Sequence, residues 1–284
     1  MVLRCPAKVN LFLSVGPPDR RNYHPIRTVF QAVGLFDELE LVPADRYSLN
    51  VEGMALPESN TVAKTLRLVR EIVDVPPLAI RLVKRIPAES GLGGGSSDAA
   101  GLLRGLRRLV PTPLTPDQER DVAVAVGADV PFFLVGGRAM GEGYGERLTP
   151  LPDRPGVWLT VVRPDFGRST AEAYRALDAC ERPWLPFPEG VSPDAAAEGP
   201  FVGSAAEGWV NDFERVIGCG SIELIGRLES LGAIRAMLSG SGSAVFGVFA
   251  DRAAAERAAD RVVGEASGVR AWVVTSLSRS ESLA

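Results

Sequence analysis

Apolar and polar positions alternate along Ala7–Val15 and again over Thr28–Val42. That pattern predicts one strand in the first stretch and one or two in the second. Val62, Leu66, Val69 and Ile72 or Val73 recur at helical spacing, so Thr61–Val73 is expected to be a helix with Asn60 as its N-cap. Leu78–Ile86 reads as a strand, and the run SGLGGGSSDAAG (90–101) follows it. Ala100, Leu103 and Leu106 or Arg107 then mark a helix over Ser97–Leu109. A further helix is expected over Thr115–Val126, opened by a capping box of Thr115 and Gln118.

Near Val157 the pattern restarts. VWLTVVRP predicts a strand stopped by proline, and Ser169 or Thr170 caps an expected helix to about Ala179. Segment 183–208 is rich in Pro, Ala and Gly and is expected to be surface loop or short helical pieces. Helices follow near Val210–Ile217 and over Ser221–Leu231, then strands at Ala233–Leu238 and Ser243–Ala250. A helix over Arg252–Glu265 and a strand over Val269–Ser276 complete the order. This succession predicts an open α/β sandwich. PDRPG (152–156) interrupts it and divides the chain into parts 1–154 and 155–284.

The length of 284 residues suits one large domain or two ordinary ones, with no need of a disulfide or metal staple. A hydrophobic fraction of 46% and a charged fraction of 23% belong to a soluble globular protein, and a net charge of −4 argues against a nucleic-acid partner. The basic residues are nearly all arginine. Lys8, Lys64 and Lys84 are the only lysines, which draws attention to each. Cys5, Cys180 and Cys219 are widely spaced and form neither a CxxC nor a Cys/His cluster, so free thiols in a reducing compartment are expected. Lys8 and Asn10 interrupt the apolar N-terminus, and no apolar run reaches the roughly 20 residues that cross a bilayer. A cytoplasmic protein without a membrane partner is expected.

A strand, a glycine loop and a helix together present free backbone N–H groups to an anion. The helix dipole adds about half a positive charge there, and glycine lets the backbone take φ > 0 with no Cβ in the way. Ser96 and Ser97 add hydroxyls that suit a phosphate or Mg²⁺. The chemistry fits a polyphosphate, against the plainer reading of a flexible turn. G-x-x-x-x-G-K-[ST] is excluded because no lysine follows the glycines. G-x-G-x-x-G fails too, because Ser96 stands where its third glycine belongs.

IPAESGLGGGSSDAA (86–100) resembles the central motif of the GHMP kinases, P-x-x-x-G-L-G-S/G-S-S/A. CPAKVNLFLSV (5–15) is similar to the first motif of that family, and AMLSGSGSAVFG (236–247) to the third, a second glycine loop. Further marks are Tyr23–His24, the run GADVPFFLVGGRAMGEGYGERLTPL (127–151) and NDFE (211–214). They resemble members of the family that act on a cytidine-diphosphate-linked methylerythritol. RRNYHPI stands where such members more usually show DGYHEL, and Glu89 stands where small residues are more typical. The resemblance runs from about Pro6 to Val274. It implies an α/β chain of the α+β type with the two-lobed GHMP kinase fold, the N-terminal lobe ribosomal-protein-S5-domain-2-like and the C-terminal lobe ferredoxin-like. It also implies ATP and Mg²⁺, and phosphorylation of the 2-hydroxyl of that small-molecule substrate in the non-mevalonate isoprenoid precursor pathway, by a monomer or homodimer. The alternatives are a family member for another alcohol, such as mevalonate or homoserine, and an inactive nucleotide or sugar sensor.

The same resemblance assigns the site. Pro87, Ala88, Glu89, Ser90, Gly91, Leu92, Gly93, Gly94, Gly95, Ser96 and Ser97 would hold ATP. Asp129 would be the base that takes the hydroxyl proton. It lies in an apolar run where an unpartnered carboxylate is costly, and its plainer reading is an N-cap or turn residue. Lys8 would be its partner; the period-2 reading puts Lys8, Asn10 and Phe12 on one face. His24, the sole histidine, would bond the cytosine edge, Tyr23 would stack on the ring and Tyr174 would supply the second aromatic. Tyr174 also reads as a helix core residue facing Leu177. Asn10, Gly240, Ser241 and Gly242 would meet the substrate, although the second glycine loop is equally a plain turn between strands. Glu214 is expected to be structural, and no Mg²⁺ ligand is singled out.

Overall fold

The computed structural model describes residues 1–166, 169–193 and 209–284. Two long strands organise its first half. β1 (Val2–Val15) and β2 (Ile26–Pro43) pair antiparallel from Val2 opposite Glu40 to Val15 opposite Ile26. From Cys5 onward β1 is buried on both faces, which is why its sequence is nearly continuously apolar. The pairing shifts register between Pro6 and Ala7 and between Asn10 and Phe12. The second shift inserts Leu11 as an extra residue and breaks the strict alternation.

β2 is one strand and changes partner along its length. Residues Thr28–Gln31 pair with β5 (Arg138–Glu142), and residues Glu38–Pro43 pair with β4 (Leu78–Val83). Between these stretches Val33 bridges to Ser276, and the Leu277 N–H donates to Ala32 O at 2.9 Å. β3 (Ser48–Glu52) runs parallel to β4, and β6 (Arg147–Pro150) pairs with β5, giving the order β3-β4-β2-β5-β6 with β1 on the other edge of β2.

Four helices belong to this half: α1 (Thr61–Arg70), α2 (Gly94–Leu109), α3 (Pro116–Val126) and α4 (Val130–Val135). Their apolar sides meet the sheet in a core that includes Leu39, Leu41, Leu82, Leu102, Leu103 and Phe132. The expected caps are present. Asn60 accepts from the Ala63 N–H, and Thr115 and Gln118 form the capping box. α2 begins three residues earlier than its apolar spacing suggests, inside the glycine run.

The second half starts at β7 (Trp158–Pro164), followed by α5 (Thr170–Asp178), which Ser169 and Glu172 cap. Then come α6 (Cys219–Ser230), β8 (Arg235–Leu238), β9 (Val245–Phe249), α7 (Arg252–Glu265), β10 (Val269–Thr275) and the closing α8 (Arg279–Leu283). The sheet is antiparallel in the order β10-β7-β9-β8. Taken as β7-α6-β8-β9-α7-β10, this is the split β-α-β arrangement. Val161, Met237, Phe246 and Val248 share a core with Val9, Leu11 and Phe12 of β1, so β1 belongs to the packing of both halves.

The structure corrects several expectations. The helix expected near Val210–Ile217 is a short 3-10 turn, Asp212–Arg215. Its polar side chains are tied to β1 and β8 instead of facing outward: Asp212 Oδ2 accepts from Val15 N at 2.8 Å, and Glu214 Oε1 from Leu238 N at 2.8 Å. Within segment 183–208, residues 183–193 carry no helix or strand, and 194–208 lie outside the described residues. β3, β5, β6, α4 and α8 are additions to the sequence reading.

α4 depends on aromatic packing. Phe132 stacks on Phe30 with ring centroids 4.8 Å apart, and Phe133 meets Phe132 edge-on at 5.2 Å. Phe132→Ala is expected to destabilise the fold by about 3–5 kcal/mol in urea unfolding, and a loss below about 1 kcal/mol would contradict this packing.

Candidate active site

A cleft of about 950 Å³ opens where the loops of the two halves meet. Its floor is the glycine run. Gly91 and Gly93 take φ of 76° and 74°, in the left-handed region, and α2 starts at Gly94. The Ser97 N–H makes the first helical bond, to Gly93 O at 2.9 Å, so the N–H groups of Gly94, Gly95 and Ser96 precede it. A Cβ at Gly93 would stand 2.8 Å from Phe133 and 3.2 Å from Lys8 Cγ. The close approach of α4 and β1 therefore requires glycine there as much as the dihedral does.

Pro87, Ala88, Glu89, Ser90, Gly91, Gly93, Gly94, Gly95 and Ser96 line the cleft. Leu92 and Ser97 do not. Leu92 is fully buried in the core shared with β1, and Ser97 is buried beneath the loop. Glu89 takes φ 51° and is exposed.

Across the cleft stand Lys8 and Asp129, with Lys8 Nζ 3.6 Å from Asp129 Oδ2. The Lys8 side chain is 4% exposed and donates to Asn10 Oδ1 at 2.6 Å. Asn10 Nδ2 donates to Thr28 Oγ1 at 2.7 Å, which in turn donates to Phe12 O at 2.7 Å. This chain fixes the Lys8 ammonium from the strand side. Burial lowers Lys8 below the ordinary lysine range, while the charge of Asp129 and a hydrogen bond to it oppose the shift. Asp129 occupies the N-cap position of α4 but makes no side-chain cap hydrogen bond; its carboxylate faces Lys8. Lys8, Asn10 and Leu13 line the cleft, and Phe12 does not. The extra residue at Leu11 turns Phe12 into the other core, where it meets Phe187 at 5.9 Å.

The second glycine loop closes on the first. Ser239 Oγ donates to Gly91 O at 3.0 Å and the Ala244 N–H to Ser90 O at 3.0 Å. A Cβ at Gly91 would overlap Ser239 O, and one at Gly240 would lie 3.3 Å from Lys8 Nζ. Gly240 and Ser241 line the cleft; Gly242 instead lines a smaller hollow beside Phe166 and Leu238. Asn211 holds the loop from behind through Nδ2, which donates to Leu238 O at 2.9 Å and Gly240 O at 2.8 Å. Glu214 is structural, as expected, through its bond to Leu238 N.

At the far end are the aromatics. Tyr23 is 64% exposed and meets Tyr144 edge-on at 5.8 Å. The ring of Tyr174 lies 5.1 Å from that of His24 and edge-on to Phe213 at 4.9 Å, so Tyr174 faces the cleft as well as the core. Burial, with the negative charge of Asp129 nearby, pushes its hydroxyl up to about 12. Both ring nitrogens of His24 have protein partners: Nδ1 lies 2.9 Å from Gly16 O and Nε2 lies 3.1 Å from Asp178 Oδ1. No free ring edge is therefore presented to a base in this arrangement.

Sequence reasoning missed a charge cluster under the glycine run. Lys84 Nζ donates to Asp37 Oδ2 and, at 2.7 Å, to Asp98 Oδ2, with all three side chains nearly fully buried. Burial works against the Lys84 ammonium, but the charges of Asp98 and Asp37 outweigh it and hold the group above the ordinary lysine range. Burial pushes the Asp98 carboxyl up to about 8. Among the described residues Asp98 Oδ1 and Ser97 Oγ have no hydrogen-bond partner. The rarity of lysine was the available signal for Lys84. No group of three or more His, Cys, Asp or Glu among the described residues is arranged to hold a metal ion. No helix is long and apolar enough to cross a membrane among them.

Residues 60–137 match the family model described as GHMP kinases N terminal domain, and residues 220–266 the one described as GHMP kinases C terminal. A protein of Symbiobacterium thermophilum named 4-diphosphocytidyl-2-C-methyl-D-erythritol kinase is 38% identical, over 98% of this chain and 100% of its own. One of the same name from Salinispora tropica is 39% identical, over 90% of this chain and 86% of its own. A crystal structure of 4-(cytidine 5'-diphospho)-2C-methyl-D-erythritol kinase superposes with a TM-score of 0.78 at 34% identity, covering 97% of this chain and 99% of that one. Homoserine kinase from Cytophaga hutchinsonii shares the fold, with a TM-score of 0.68 at 19% identity over 98% of this chain and 94% of that one.

The charge cluster generates a stability prediction. Lys84→Met leaves the buried side chains of Asp37 and Asp98 without their cation and is expected to cost about 3–5 kcal/mol in urea unfolding near neutral pH. A cost below about 1 kcal/mol would contradict the cluster.

Proposed function

The chain belongs to the GHMP kinase family, among the 4-diphosphocytidyl-2-C-methyl-D-erythritol kinases, and on that premise we propose how its cleft performs the ATP-dependent phosphorylation of an alcohol. The acceptor is the 2-hydroxyl of 4-diphosphocytidyl-2-C-methyl-D-erythritol, in the non-mevalonate isoprenoid precursor pathway. The observation that carries the reading is the Lys8–Asp129 pair, 3.6 Å apart where the two glycine loops touch.

The acceptor oxygen forms its bond to the γ-phosphorus as the bond to the β,γ-bridging oxygen breaks and ADP departs. The hydroxyl proton passes to the Asp129 carboxylate, and the Lys8 ammonium offsets the negative charge developing on the acceptor oxygen. The ATP phosphates rest on the N–H groups of Gly94, Gly95 and Ser96 at the positive end of α2, within the run Pro87–Ser97. Mg²⁺ supplies further charge neutralisation at the phosphates when bound. Asp98 lines the cleft, and its Oδ1, unpartnered among the described residues, fits the ion as a side-chain oxygen. Gly240 and Ser241 close over the transferring group from the second lobe, with the lobes taken as 1–154 and 155–284.

Tyr23, His24 and Tyr174 form the base end, with Asn10 along the substrate chain. Mevalonate and homoserine carry no base to stack, so these aromatics favour the cytidine-linked acceptor. A sensor would not need the proton acceptor, so the Lys8–Asp129 pair argues against an inactive relative. The cytoplasm is the compartment we assign, and a monomer or homodimer the state.

With the cytidine-linked alcohol, ATP and Mg²⁺, Lys8→Ala or Asp129→Asn is expected to lower kcat by about 10²–10⁴ while circular dichroism stays that of the wild type. A folded variant with wild-type turnover contradicts the assignment. The pH profile adds a second test. The ammonium is the working form of Lys8, present below its titration and lost above it, and burial lowers that titration. The alkaline limb of kcat/KM, which reports the free enzyme, is therefore expected below 10.5, the ordinary lysine value, and a limb at or above 10.5 contradicts it.

A further inference from the structure

Three neighbours hold the imidazole of His24, and they come from both halves of the chain. Nδ1 lies 2.9 Å from Gly16 O. A carbonyl only accepts, so Nδ1 carries a hydrogen. Nε2 lies 3.1 Å from Asp178 Oδ1. Tyr174 covers the ring, with centroids 5.1 Å apart and planes at 31°. Tyr174 and Asp178 stand four residues apart on α5, so one face of that helix supplies both the ring cover and the carboxylate. Arg182 ties this helix end to the same loop, donating to Leu177 O at 2.6 Å and to Gly16 O at 3.5 Å. The His24 side chain is 6% exposed as a result. Asp178 itself lines the cleft and takes no part in the Lys8–Asp129 centre.

We propose that Asp178 is a positioning residue for the nucleoside end of the acceptor: with Gly16 O and Tyr174 it locks the His24 ring at that end of the cleft. This rests on reading the cleft as the site of a kinase for a cytidine-diphosphate-linked alcohol, as given above. A freely rotating imidazole would have to be ordered each time substrate binds, whereas a clamped one is ordered beforehand.

His24 is the only histidine in the sequence, so histidine-selective ¹⁵N labelling of the full chain reads one imidazole without assignment. Asp178→Ala is expected to shift the Nε2 resonance while Nδ1 keeps its hydrogen bond. It is also expected to weaken binding of cytidine diphosphate about tenfold, the size of one lost hydrogen bond to a charged group, and to leave the affinity for a non-hydrolysable ATP analogue as it was. Asp178→Asn, whose amide oxygen still accepts, is expected to restore most of both signals. An Nε2 resonance indifferent to Asp178→Ala, an unchanged affinity for cytidine diphosphate, or an Asn variant as impaired as the Ala variant overturns the proposal. Any of these in an enzyme that still phosphorylates the cytidine-linked alcohol leaves the kinase reading standing. A wild type that turns over no alcohol overturns that reading instead, and the resonance and the cytidine diphosphate affinity still decide the clamp.

Discussion

A lysine ammonium inside a strand that is buried on both faces is the constraint around which this molecule is built. Lys8 gives up almost all of its water, and an unpaired charge in such a place would cost several kcal/mol. Its compensation is assembled from distant parts of the chain: Asn10 from the same strand, Thr28 behind it from β2, and Asp129 from the start of α4. The position of Asp129 in turn rests on the phenylalanines of α4 against Phe30. The charge pair and the aromatic core are therefore one structure. Compensation is incomplete, since burial still lowers the lysine, and that residual imbalance leaves the ammonium ready to respond to a new negative charge in the cleft.

The same strand joins the halves. β1 packs into the second sheet through Val9, Leu11 and Phe12 and hydrogen-bonds its end to Asp212. This brings the loop after β8 against the loop after β4. Glycine at 91 and 240 permits that contact, because a Cβ at either would meet the opposing loop. Two glycine loops from separate sheets thus converge beside one lysine, while Lys84 with Asp37 and Asp98 anchors the first loop from below. Positive charge is supplied by the sheets and the helix end, with no lysine in the loop itself.

Local features of this arrangement were legible in the sequence. The caps at Asn60, Thr115 and Ser169 stand where side-chain chemistry requires them, and α7 spans the residues its spacing predicts. The three motif stretches supply nearly half of the cleft wall. What the sequence hid depends on distant partners or on departures from regular period. Phe12 was misplaced because one extra residue at Leu11 breaks a two-residue repeat. α4 is too short to show a helical period, and β3 is a half-buried edge with little apolar signal. The clamp on His24 and the carboxylates on Lys84 join residues far apart in the chain, which no local pattern announces. Leu92 and Ser97 sit within the motif yet face inward, because a tight loop turns some of its residues away from what it holds.

The central claim is that this cleft phosphorylates a cytidine-linked alcohol by means of the Lys8–Asp129 pair. The most direct measurement is ADP release by the purified protein with ATP and Mg²⁺, offered in parallel the cytidine-linked methylerythritol, free methylerythritol, mevalonate and homoserine. Turnover confined to the cytidine-linked compound is the predicted result. Turnover of mevalonate or homoserine would contradict the base-binding end of the cleft, and no turnover of any alcohol by a protein that binds ATP would contradict the kinase assignment itself.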